Sequence, residues 1–208
     1  MIRAFLAVEL PNDIRTAVGA LQQDLKRRLE RQLDRHTHVS WVQPASIHLT
    51  LKFLGDTDEQ LIDPLKTHLA GVLSAHQALS LPLERIGAFP RTNQPRVLWV
   101  GPSESWEQGT EAARLAALHR AIEIGCSSFG FAKEERPLSP HLTLARVKDG
   151  ERQAGAALAQ SGLMDRPLSV AALPVEAVAL MKSELRPAGA VYTKLWELRL
   201  GAAGDGSK

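Results

Sequence analysis

Hydrophobic residues along this chain keep two rhythms, one of helices and one of strands. Ile14, Val18, Leu21, Leu25, Leu29 and Leu33 recur at helical spacing, so Ile14 to Arg35 is expected as an amphipathic helix. The basic tract Lys26, Arg27, Arg28, Arg31 and Arg35 then reads as its solvated face. Before it, the run from Arg3 to Leu10 is short, apolar and closed by a proline. It reads as a strand, with Asn12 or Asp13 to cap the helix. Leu61, Leu65, Leu69 and Leu73 mark a second helix within Thr57 to Ala78. Glu107 to Ile124 is a third, and Glu151 to Gln160 a short fourth. Strands are expected at Val39 to Val42, Ile47 to Leu54, Leu81 to Phe89, Arg96 to Gly101 and His141 to Val147. Leu168 to Met181 and Val191 to Leu200 supply the last ones. This order lacks the regular alternation of a doubly wound sheet.

One phrase is written twice. Pro44 to Leu51 reads PASIHLTL, and Pro137 to Leu144 reads PLSPHLTL, with six of eight letters in common. Two halves that each carry one copy imply a duplicated α+β architecture. No Gly-, Ser- or Pro-rich linker divides them, so residues 1–200 are read as one domain of two lobes, with 201–208 as a disordered tail.

Side chains two apart on a strand share a face, separated by roughly 7 Å. Ile47, Leu49, Leu51 and Phe53 then face a helix layer, while His48, Thr50 and Lys52 face outward. In the second copy Leu142 and Leu144 face in, and His141 and Thr143 face out. If the lobes face each other, two His/Thr pairs line one cleft. Such a cleft suits in-line phosphoryl chemistry. One neutral imidazole takes a proton from water while the other, protonated, gives one to the leaving oxygen, each role worth roughly 10² to 10⁴ in rate. An unperturbed imidazole pKa near ~6.5 makes both states available. The threonine hydroxyls can donate to non-bridging phosphate oxygens. Neither metal nor cofactor is required by this arrangement.

The bulk composition narrows the setting. A formal charge of +2 announces no long duplex-binding surface. A single cysteine, Cys126, permits no internal disulfide and suits a reducing compartment. The apolar start from Ile2 to Leu10 is too short and too charged for a signal peptide or membrane span, so a cytoplasmic protein, taken as a monomer, is expected.

The pair His48-Leu49-Thr50-Leu51 and His141-Leu142-Thr143-Leu144 resembles the two H-x-T-x motifs of the two-histidine (2H) phosphoesterases. Within them the chain is similar to the RNA 2′,3′-cyclic phosphodiesterases, also known as 2′-5′ RNA ligase-like proteins. Arg3-Ala4-Phe5-Leu6-Ala7, Phe53-Leu54-Gly55, Arg96 to Gly101, and Ser183-Glu184-Leu185 with Gly189 and Tyr192 fit the same pattern. The resemblance implies two similar lobes of antiparallel sheet with outer helices, related by a pseudo-two-fold axis around a central cleft. It also implies hydrolysis of RNA or oligonucleotide 2′,3′-cyclic phosphate ends to 2′-phosphates without metal or nucleotide cofactor, with reversible 2′-5′ ligation as a companion activity. On it, His48 is the proton donor to the 3′ oxygen and His141 the base. Thr50 and Thr143 bind phosphate, and Arg146 falls on the family's substrate arginine. Strict alternation puts Arg146 on the face of Leu142 and Leu144. A bulge, the strand end or the length of the side chain must re-aim it, unless it serves a surface salt bridge.

Other readings stand beside this one. A module that binds RNA ends without turnover would not need both imidazoles, and a small nucleotide could replace RNA as substrate. His36-Thr37-His38 lacks a third ligand at metal spacing and reads as a loop. His68, His76 and His119 need no function, and Cys126 is expected as a buried small residue. Lys52 is expected toward solvent. Phe5 is a candidate for base stacking, with core packing as its default.

Overall fold

A computed structural model describes residues 1–164, 168–186 and 189–201. Among these, the first half supplies β1 (Ile2–Glu9), α1 (Asn12–Glu30), β2 (His38–Trp41), β3 (His48–Thr57), α2 (Ile62–Ser74), β4 (Leu79–Leu83), β5 (Arg85–Phe89) and β6 (Val97–Gly101). The second supplies α3 (Glu104–Glu107), α4 (Thr110–Ser127), β7 (Leu142–Asp149), α5 (Glu151–Gln160), β8 (Ala171–Val175), β9 (Ala177–Arg186) and β10 (Gly189–Arg199).

The main sheet is antiparallel throughout, in the order β10-β9-β1-β3-β7-β6-β5, with β2 on the free part of β7. Its two halves touch through one residue pair, Leu49 with Leu142. The sheet therefore behaves as two: β10-β9-β1-β3 and β2-β7-β6-β5. The two-lobed α+β architecture stands as expected, and the seam falls between the two histidine motifs. A separate ribbon of β4 and β8 packs against α4 through β4 and against α1 through β8.

Each lobe is backed by helices, and the helices are exchanged. α4, which follows β6 of the second lobe, packs on β3 of the first, while α2 lies on β10. α5 packs on β7 and α1 packs on α5. The leucines that predicted these helices (Leu25 and Leu29 on α1; Leu65, Leu69 and Leu73 on α2) are fully buried between sheet and helix. The charged face of α1 is held by Asp24 with Arg27 and Arg28, and by Lys26 with Glu30. That is a solvated helix face, as read.

Several boundaries differ from the periodicity reading. Pro11, not Asn12 or Asp13, is the N-cap of α1, and the Asn12 side chain instead accepts from Arg15. The long apolar stretches divide at a charged residue: Glu84 separates β4 from β5, and Glu176 separates β8 from β9. Gly201 was expected in a disordered tail, but it bridges Gln77 and donates to the His76 carbonyl at 2.7 Å. Residues 202–208 lie outside the described residues.

The largest departure is inside the motif strands. On β3, Thr50 pairs with Ala7 but Lys52 pairs with Leu6, so Leu51 has no partner and forms a bulge. On β7, Thr143 pairs with Trp99 and Ala145 with Leu98, so Leu144 is skipped in the same way. Beyond each bulge the alternation is inverted. Lys52 turns away from the His48 face and is buried, and Phe53 turns toward it. This corrects the expectation of a solvent-facing Lys52 and an inward Phe53. Behind the sheet, Lys52 Nζ meets Glu123 Oε2 of α4 at 2.7 Å and the Ala132 carbonyl at 2.7 Å. The Glu134 amide donates to the same carboxylate at 3.0 Å.

Removing one partner of a buried ion pair strands the other, at a cost of about 3–5 kcal/mol. Lys52→Met is accordingly expected to lower urea unfolding stability by that amount, and Lys52→Met with Glu123→Leu to recover more than half of the loss. A single variant within about 1 kcal/mol of wild type would show that the pair does not hold this region.

Candidate active site

The two strand entries hold their histidines in the same way. Pro44–Ser46 form one 3₁₀ turn, and the Ser46 carbonyl lies 2.8 Å from His48 Nδ1. The Ser139 carbonyl stands 2.8 Å from His141 Nδ1. A carbonyl only accepts, so each Nδ1 carries the hydrogen and each neutral ring keeps its Nε2 lone pair free. The backbone carbonyl two residues before each histidine thus sets tautomer and ring orientation twice.

Register sets the two motifs against each other. With Leu49 opposite Leu142 on antiparallel strands, each histidine lies across from the other motif's threonine. His48 and His141 become diagonal neighbours, which puts them roughly 7–8 Å apart at the backbone.

A cavity of about 350 Å³ opens here, lined from the first lobe by Phe5, His48, Thr50, Phe53 and Tyr192 and from the second by Thr143 and Arg146. His141 is not part of this lining; it immediately precedes β7 and lies near enough for its positive charge to be felt at His48. The bulge at Leu144 answers the question about Arg146, because it brings this side chain onto the cleft face. Arg146 is exposed there and, among the described residues, has no ion-pair partner. Four of the five residues proposed from sequence, His48, Thr50, Thr143 and Arg146, therefore line one cavity, and His141 adjoins them through the register of β3 with β7.

The imidazoles are half-buried in aromatic surroundings. Phe5 and Tyr192 lie 4.8 and 5.2 Å from the His48 ring; Phe89 lies 4.9 Å and Trp99 6.3 Å from that of His141. Burial pulls both histidines below their ordinary 6.5, the serine carbonyls partly restore them, and the Arg146 charge lowers both. His48 alone is also raised by Glu9, its register partner on β1. Glu9 is itself paired with Lys194 at 2.7 Å.

The aromatic collar was not foreseen from sequence, apart from Phe5 as a stacking candidate and Tyr192 within a family segment. Phe5 is buried under His48 and offers no free face, whereas Phe53 is 71% exposed and lines the cavity. The spacing signal was available: Phe53 and Arg146 both stand five residues after their histidine. Elsewhere, His36 accepts from Arg35, and among the described residues no cluster of metal-ligating side chains forms. Cys126 is buried, its thiol pushed up to about 12.

Comparison with known proteins bears on the family and the fold. The profile of the 2′-5′ RNA ligase superfamily matches residues 10–187. The RNA 2′,3′-cyclic phosphodiesterase of Methanothermobacter thermautotrophicus is 31% identical, over 96% of this chain and 99% of its own. That of Methanocaldococcus jannaschii is 30% identical, over 94% of this chain and 99% of its own. The crystal structure of TT0787 of Thermus thermophilus superposes with a TM-score of 0.71 at 26% identity, covering 97% of this chain and 99% of that one.

Histidines with depressed folded-state pKa bind fewer protons than they do unfolded, so their stability contribution is complete above ~6.5 and lost as pH falls through the folded value. Replacing both His48 and His141 by Asn is expected to flatten the decline in unfolding free energy between pH 7.5 and 5. Equal pH slopes for the variant and wild type would mean that burial does not depress these groups.

Proposed function

The chain belongs to the 2′-5′ RNA ligase superfamily, and on that premise we propose that it is an RNA 2′,3′-cyclic phosphodiesterase whose two imidazoles are the acid and base. The observation that supports this best is the matched pair of Nδ1–carbonyl bonds, which holds both rings in the same tautomer and leaves each Nε2 for proton transfer. His141 Nε2 takes a proton from water as its oxygen attacks phosphorus in line with the 3′ oxygen. The P–O3′ bond breaks, His48 Nε2–H donates to the departing oxygen, and the phosphate remains on O2′. Thr50 and Thr143 donate to the non-bridging oxygens, and the Arg146 guanidinium balances their charge. Phe53 offers an open aromatic face for the terminal base. The cavity accepts one terminal nucleotide and leaves the rest of the strand outside.

The assignment of donor and acceptor rests on an asymmetry between otherwise matching motifs. Glu9 is directly paired with His48. Its counterpart one step beyond Val100 is Gly101, where a Cβ would meet the Pro140 carbonyl at 2.9 Å. A carboxylate beside His48 favours its protonated form, and no side chain fits the matching place beside His141. The bound phosphate anion adds to this by attracting the proton back to His48. Among the described residues no helix is long and apolar enough to cross a membrane. A single cysteine permits no internal disulfide and suits a reducing compartment, which supports a cytoplasmic location as our reading.

The direct test is an oligonucleotide ending in a 2′,3′-cyclic phosphate, with product position read by phosphorus NMR. A 2′-phosphate is expected, with turnover unchanged by EDTA. His48→Ala and His141→Ala should each lose roughly 10²-fold or more while remaining folded. A substrate with a better leaving group at the 3′ position should rescue His48→Ala far more than His141→Ala. Rescue of His141→Ala alone would reverse the roles.

The pH profile provides a separate check. With both imidazoles depressed in the free enzyme, kcat/KM is expected to peak on the acid side of ~6.5, and kcat at higher pH once phosphate is bound. Glu9→Gln should shift the alkaline limb of kcat/KM to lower pH and leave the acid limb in place. An alkaline limb that does not move would separate Glu9 from the acid.

A further inference from the structure

Both bulges are met from behind by a buried polar side chain on an exchanged helix. In the first lobe, the buried His119 imidazole of α4 lies close enough to the carbonyl of Leu51, the skipped residue, for that carbonyl to raise its pKa against the larger lowering by burial. In the second, Gln22 of α1 reaches the carbonyl of Leu144, the other skipped residue, at 2.8 Å. The same amide nitrogen donates to the Val42 carbonyl at 2.7 Å, while the Val42 N–H donates to the Leu144 oxygen at 2.9 Å. The end of the β2 region and the β7 bulge are therefore tied to one side-chain nitrogen, 122 residues distant in sequence from Leu144. Gln22 is 4% exposed in a helix face otherwise made of Ile14, Val18, Leu25 and Leu29.

A buried amide among leucines costs free energy unless its hydrogen bonds are made, and a leucine there would pack without that demand. What the amide supplies is a donor at the point where the strand departs from its period. Two residues beyond that point stands Arg146. On the reading of Arg146 as a phosphate-binding group, we infer that Gln22 is a positioning residue for it: by holding the Leu144 carbonyl it fixes the bulge that turns Arg146 into the cleft. Without the clasp, β7 regains the freedom to pair in regular register, and regular register carries Arg146 to the helix side with Leu142 and Leu144.

A double-mutant cycle tests this, because a residue that acts through another has no effect once that other is removed. Gln22→Leu is expected to lower kcat/KM on a 2′,3′-cyclic phosphate oligonucleotide by about tenfold or more, chiefly through KM. In the Arg146→Ala background the same change should cost less than about twofold. Gln22→His, which keeps a donor on the helix as in the first lobe, should retain more activity than Gln22→Leu. Circular dichroism and melting temperature establish that each protein is folded at the assay temperature. If the leucine variant does not fold, the same cycle is run with the histidine variant, whose smaller loss must likewise vanish in the Arg146→Ala background. An equal loss in both backgrounds, or none in either, overturns the inference and leaves the role of Arg146 intact. Wild-type activity in Arg146→Ala alone overturns the role of Arg146 and the inference with it.

Discussion

A β-strand presents its side chains with period two, and this site needs a strand that breaks that period once. Histidine and threonine two apart satisfy the alternation, but the residue five beyond the histidine does not. One unpaired residue, Leu51 in β3 and Leu144 in β7, reverses the faces and recruits Phe53 and Arg146 to the cleft. The register around the two bulges is the same pair by pair. Leu49, Thr50, Lys52 and Phe53 face Val8, Ala7, Leu6 and Phe5, as Leu142, Thr143, Ala145 and Arg146 face Val100, Trp99, Leu98 and Val97. The bulge belongs to the duplicated unit itself and is not an irregularity of one lobe.

The exchange of helices follows from where this unit must be supported. A bulge leaves carbonyls and the side chain after it on the wrong side of the sheet, inside the hydrophobic layer. Those groups require partners there, since an unpaired buried polar group costs more than the bond contributes. α4 supplies Glu123 and His119 behind β3, and α1 supplies Gln22 behind β7. Each supporting helix comes from the opposite half of the chain, so neither half completes its site alone. This interdependence joins the two halves through their helices, where the sheet itself joins them only at the Leu49–Leu142 pair.

The octapeptide made the core of this legible. His48, Thr50, His141 and Thr143 are read directly from alternation, and two copies imply two facing lobes. The long helices were equally legible, because leucines at helical spacing are what a helix buries. What stayed hidden is long-range. The bulge is decided by pairing with β1 and β6, and no local signal marks Leu51 or Leu144 as unpaired. Lys52 looked like an exposed lysine because its partner, Glu123, is 71 residues away on α4. Gln22 gives no local sign of its role, since the carbonyls it holds belong to Val42 and Leu144, 20 and 122 residues away. The splitting of long apolar runs at Glu84 and Glu176 follows from tertiary packing, since β4 and β8 leave the main sheet to pair with each other.

Duplication yields a nearly symmetric cleft, yet the proposed reaction is asymmetric: one proton leaves water and another arrives at the 3′ oxygen. The two lobes differ at the positions that matter for this. At the fifth residue after histidine, one lobe offers a ring and the other a guanidinium, so a nucleotide has its base and its phosphate charge recognised from opposite sides. Beside the histidine, one lobe offers a carboxylate and the other a glycine closed in by the Pro140 carbonyl and the Trp99 ring. A base and a phosphate held at fixed ends set which ribose oxygen meets which imidazole. The carboxylate then weights the proton toward the imidazole that must give it away. The symmetric parts of the repeat build two matching imidazoles, and in the proposed reaction the direction of cleavage enters through Phe53 against Arg146 and Glu9 against Gly101.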